Sequence, residues 1–128
     1  MIIEGAHIFS EHQAIVAAST NSSTVDLMGT NKPAYVMTWL FVSLTKPFTA
    51  GRITAVALQT GDKEDLSDAE TVQTVNIPAS VPQTIPSVIA QMRIPQGVKR
   101  YARLVYTANS PAGGTVWAAT AAGVAVHG

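Results

Sequence analysis

Valine, isoleucine and threonine together supply 37 of the 128 residues of this chain, whereas leucine supplies six. Side chains branched at Cβ lose rotamer freedom against the preceding turn of a helix, yet pack well on a pleated sheet. The balance therefore favours strands. Short apolar or alternating runs recur between turn residues, at Thr24–Met28, Tyr35–Thr45, Arg52–Thr60, Glu70–Ile77, Ser87–Ile94, Arg100–Ala108 and Thr115–Val126. That spacing predicts an all-β domain, a sandwich or barrel of seven to eight antiparallel strands. The alanines Ala118–Ala122 have no N-cap before them and valines at even spacing around them, so they too read as strand.

Alternation predicts the buried faces. Val88, Ala90, Met92 and Ile94 should point inward, as should Ala102, Leu104 and Tyr106. In Val36–Leu44 both sets are apolar, with Val36, Leu40, Val42 and Leu44 on one side and Met37, Trp39 and Phe41 on the other. Such a strand is central and covered on both sides, by its own fold or by another subunit. Pro78, Pro82 and Pro86 make their connection extended, and Ser110–Gly114 reads as a hairpin loop.

The first twenty residues differ. Ile2, Ile3, Ile8, Phe9, Ile15 and Val16 follow no clean period. They predict an N-terminal arm over residues 1–20, laid across a neighbouring molecule, with the β-sandwich over 21–128. The competing reading takes Ser10-Glu11-His12-Gln13 as the capping box of a short helix.

Charged residues make up only 12% of the chain, about half the usual share. A surface so poor in charge points to coverage by partners, or to a neutral Ser/Thr surface. The charge that exists is segregated. Residues 1–70 hold all eight acids and four bases, and residues 71–128 hold Arg93, Lys99, Arg100 and Arg103 with no acid. This suits contact between copies, an acidic patch meeting a basic one. It is too small a basic excess for nucleic acid. The longest apolar stretch, Val36–Leu44, is too short to span a bilayer, so no membrane contact is expected.

Chemistry-bearing constellations are sparse. His7 and His12 lack a third ligand nearby, and cysteine is absent. Asp62, Glu64, Asp65 and Asp68 supply hard oxygens, but Lys63 and Leu66 occupy inner positions of what would be a calcium loop. No nucleophile elbow or phosphate-binding glycine loop occurs. The expectation is a protein without catalysis, metal or cofactor. Arg93, Arg100, Tyr101 and Arg103 are of the types enriched at protein interfaces.

The run Arg93–Thr107 resembles the P-x-G-x-x-R-Y-x-R-L-x-Y signature of the capsid cement (decoration) proteins of tailed bacteriophages, Bordetella-phage type. Met1–Glu4, Phe9–Ile15, Ser19–Leu27 and Ala57–Asp62 are similar to further segments of that family, in the same order. The chain departs in Ala102, where a larger aliphatic residue is common, and in the long acidic run Asp62–Asp68. The resemblance implies a jelly-roll-like subunit on the outer capsid surface of a virion, paired as a homodimer or grouped as a trimer. It would clamp neighbouring copies of the major capsid protein. The expected contacts are Ile2, Ile3, Ile8 and Phe9 of the arm, and Arg93, Arg100, Tyr101 and Arg103. The alternatives are a carbohydrate-binding jelly roll, with Trp39 and Trp117 as platforms, and a tail or baseplate component. Both tryptophans lie in strongly apolar strands, which favours a core role for them.

Overall fold

The computed structural model describes residues 8–26, 39–94 and 98–121. Among them are nine strands and no helix: β1 (Ile8–Ala14), β2 (Ser19–Asn21), β3 (Val25–Asp26), β4 (Trp39–Lys46), β5 (Ala50–Gly61), β6 (Glu70–Asn76), β7 (Ser87–Arg93), β8 (Tyr101–Ala112) and β9 (Thr115–Ala121). The antiparallel pairings are nested. β1 lies against β9, β2 and β3 against β8, β4 against β7, and β5 against β6. The chain is thus one long ribbon doubled back between β5 and β6. Rolling that ribbon brings β9 beside β4 and β8 beside β5. The result is two sheets, β1-β9-β4-β7 and β2-β8-β5-β6, with β3 also on β8. This is a jelly-roll sandwich, with nine strands rather than seven or eight. The alanines of β9 are strand, as their flanking valines predict.

The core is built by alternation. Leu40, Val42 and Leu44 of β4 face Ile53, Val56 and Leu58 of β5 and Leu104 and Tyr106 of β8, all essentially without exposure. One predicted face is corrected. Ile89 and Ala90 are both buried, while Val88 is 53% exposed. Val42 pairs with Ala90 but Ser43 pairs with Val88, so Ile89 is an extra residue in β7. A β-bulge of this kind puts two neighbours on one face and reverses the alternation beyond it.

The arm expected over residues 1–20 is corrected where it is described, from Ile8 on, residues 1–7 lying outside the described residues. Residues 8–14 are β1, hydrogen-bonded along β9, and Phe9 and Ile15 sit in the core at 1% and 0% exposure. The irregular apolar spacing has a physical cause. β1 breaks register between Ile8 and Ser10 and again between Ser10 and Gln13, with His12 at φ 50°. No single period survives two breaks in seven residues.

A polar chain, buried at its Tyr106 end and exposed at its Asn21 end, ties β1 to the opposite sheet. The Tyr106 hydroxyl donates to Ser10 Oγ at 2.7 Å, Ser10 Oγ donates to Gln13 Oε1 at 2.6 Å, and Gln13 Nε2 donates to the Asn21 carbonyl at 2.8 Å. Burial raises the Tyr106 phenol to about 12, against the lowering effect of the Ser10 hydrogen bond. The folded state therefore favours the neutral phenol. That contribution is complete below the unfolded value near 10, and it is lost as pH rises through the folded value. Between pH 10 and 12 the wild type should lose about 2–3 kcal/mol relative to Tyr106→Phe, measured by urea unfolding at each pH. A constant difference across that window would refute the assignment.

Two irregular positions close the sandwich. The side-chain amide of Gln83, in the proline-punctuated connection, donates to the Ile53 carbonyl and accepts from the Ile53 N–H, both at 2.8 Å. It replaces a strand neighbour where β5 shifts register between Ile53 and Ala55. Gly51 has φ 70°, and a Cβ there would run into the carbonyls of Asn109 and Ser110. Only glycine meets both conditions cheaply.

Candidate protein-interaction surfaces

The residues expected to make contacts do not converge on one patch. Ile2 and Ile3 lie outside the described residues. Phe9 is in the core, so it is unavailable to any partner. Ile8 and Arg93 belong to the four-stranded sheet, whereas Arg100, Tyr101 and Arg103 lie at or beside the start of β8 in the other.

On the five-stranded sheet the basic stretch is already engaged. Arg100 holds Asp26 through two parallel bonds, Nε to Oδ1 at 3.0 Å and Nη2 to Oδ2 at 2.9 Å. Its guanidinium also lies 5.1 Å from the centre of the Tyr101 ring. Alternation along β8 would have put Arg100 and Tyr101 on opposite faces. The strand begins only at Tyr101, so Arg100 is free to fold over the ring. Arg103 Nε donates to Gln59 Oε1 at 2.9 Å. Lys99 stands 3.8 Å from Asp62 and 3.7 Å from Glu70. The basic second half of the chain thus meets acids of the first half inside one molecule. The ion pairs among these contacts are exposed and screened by solvent, so they add little to stability. Their presence weakens the case for acidic-to-basic contact between copies.

The acidic turn is similarly self-contained. Backbone N–H groups of Asp62 and Lys63 donate to the Asp68 carboxylate, and the N–H of Ser67 donates to Asp65. For Asp68 the Asp62 bond is the largest cause, and for Asp65 the Ser67 bond, of carboxyl groups held below their ordinary range. Among the described residues no three His, Asp or Glu side chains group to hold a metal ion.

The remaining outward face of the five-stranded sheet is small and polar. Ala57 sits between Thr74 and Val105, and Ala55 between Asn76 and Thr107. None of the exposed large hydrophobic side chains lies in its strands.

The outward face of the four-stranded sheet is different in kind. Phe41 is flanked by Ala119 and Gln91, with Ile8 beyond Ala119. One row away, Trp39 stands opposite Arg93, whose guanidinium is 5.0 Å from the ring centre. One row to the other side, Trp117 pairs with Ser43 and Ser43 with Val88. The His12 ring meets Trp117 edge-on at 6.0 Å. Trp39, Phe41 and Trp117 are partly exposed, and Ile8 and Val88 are 43% and 53% exposed at the two edges. The core role expected for the tryptophans is therefore corrected: both face outward. β4 is central and, over Trp39–Leu44, apolar on both sides as expected, with Trp39 and Phe41 on this surface; Val36 and Met37 lie outside the described residues.

A comparison with protein-family models finds none that matches this chain, and a comparison with curated proteins finds no match either. The surface must speak for itself. It is aromatic and poor in charge, the composition of an interface centre rather than of a free surface. Phe41 and Val88 were not among the residues singled out for contact, and Trp117 was named only as a sugar platform. The signal for Phe41 was the double-sided apolarity of Val36–Leu44, which a strand covered only by its own core does not need.

Proposed function

We propose that this protein is a structural binding module, a capsid cement protein that attaches to the outer surface of a phage shell and clamps neighbouring copies of the major capsid protein. The observation that carries the reading is the aromatic outer face of the four-stranded sheet, on an otherwise self-satisfied jelly roll. The likeness of Arg93–Thr107 to the cement signature supports the same reading and names the partner class. Individually modest contacts, repeated over a shell, act together to resist rupture. A second copy of the chain is a further partner in this reading, as a homodimer or trimer.

The test is reconstitution. Purified protein added to empty, expanded shells of the major capsid protein from the same genome should co-sediment at a fixed stoichiometry. Decorated shells should also rupture at a higher temperature than bare ones. Absence of the protein from the shell pellet would sink the proposal.

A second reading is favoured by the outward Trp39 and Trp117, which could stack against sugar rings on a displayed carbohydrate-binding module. Each ring already has a partner, Arg93 on Trp39 and His12 on Trp117. A glycan array without hits would dispose of this reading.

A further inference from the structure

We infer that the outward face of the four-stranded sheet is the shell-docking surface, and that it fits an apolar protein patch rimmed by a carboxylate on the major capsid protein. This rests on the cement reading above and assigns its contact face.

Sheets associate through edges or through faces, and among the described residues every edge strand is short or interrupted. β1 is broken twice. Between Leu58 and Gln59 the register of β6 slips by one residue, leaving Val72 as an extra residue in that edge strand. β7 carries the extra residue Ile89. β2 and β3 are three and two residues long. Bulges and short edge strands are the devices that block strand addition. A partner must therefore meet a face.

Of the two faces, only one offers apolar area that the fold itself does not use. The opposite face is polar, and its arginines at the start of β8 are already hydrogen-bonded within the chain.

The occupant follows from charge and from size. β4, β7 and β9 contain no acid, and the cations they carry are Arg93 beside Trp39 and the exposed Lys46 at the far end of β4, paired with Thr115. Among the strands of this sheet, a second copy could offer Arg93 only Glu11, from the opposite edge strand β1. A complementary partner supplies its own carboxylate beside Trp39. Four strands at about 4.8 Å spacing and seven residues at about 3.3 Å rise give a face of about 450 Å². A stable free pair buries about 800 Å² of accessible surface on each partner, so the described face by itself is a modest contact for a free dimer. It is large enough for one contact among many on a shell.

The experiment uses the full chain, the same empty expanded shells, and three single variants whose thermal midpoints are checked against the wild type. Val88→Glu and Arg93→Glu, both at exposed positions of β7, should lower shell occupancy about tenfold or more by setting an unpaired charge against the apolar patch or the carboxylate. Thr74→Glu, on the opposite face, should bind within about twofold of wild type. Wild-type occupancy for both β7 variants, or loss with Thr74→Glu alone, overturns the inference while leaving the cement reading intact. A free dimer in sedimentation velocity that Val88→Glu dissociates overturns it in favour of a second copy. Failure of the wild type itself to bind shells overturns the inference together with the reading it rests on.

Discussion

Replacing Phe9 by alanine should lower the free energy of unfolding by about 3–5 kcal/mol, the cost of emptying a buried aromatic site. Phe9 is 1% exposed and belongs to the main core cluster, with Ile15 at 0% a few residues on. Domains of this size are stable by only about 5–15 kcal/mol, so the variant should melt well below the wild type. The same reasoning extends to truncation. Removing residues 1–15 strips β1 from β9, deletes Phe9 and Ile15, and leaves the Tyr106 hydroxyl without Ser10. That truncation should abolish folding rather than simply weaken attachment to a partner. Urea unfolding of the single variant, with circular dichroism of the truncation, checks both. A truncated chain with a wild-type melting curve would restore the idea of a dispensable arm.

The second large effect is expected at Gln83. Its amide satisfies both the N–H and the carbonyl of Ile53, a residue with no exposure, and Gln83 itself is only 4% exposed. Gln83→Leu keeps the volume and removes both partners. Each orphaned buried group costs about 1–3 kcal/mol, so the loss should be about 2–6 kcal/mol. Exchange of the Ile53 amide proton should accelerate along with the fall in stability. A variant as stable as wild type would mean that water replaces the amide at this bulge. The connection looks like a loop in sequence, yet one of its side chains acts as a strand neighbour for the core.

Both cases show where the sequence was legible and where it was not. Alternation along Tyr101–Thr107 and the double-sided apolarity of Trp39–Leu44 are local properties, and the structure keeps both. Register breaks are not local. His12 at φ 50°, the extra Ile89 in β7 and the paired burial of Phe9 and Ser10 depend on which strand lies alongside. The candidate site divides in the same way. Arg100, Tyr101 and Arg103 stood out by residue type, but their engagement with Asp26 and Gln59 joins segments 74 and 44 residues apart. Trp39 and Trp117 looked like core because apolar content does not reveal which side of a sheet is inside.

What the sequence by itself determined is the strand-rich class, the central place of β4 and the burial of Ala102, Leu104 and Tyr106. The cause lies within each segment: Cβ branching disfavours helix, and a two-residue period defines a face. Only the tertiary structure decided the nested pairing of the ribbon, the burial of β1, and the placing of Trp39, Phe41 and Trp117 on an outward face. Those depend on register between distant strands, and a single bulge is enough to turn a side chain from the core to the surface.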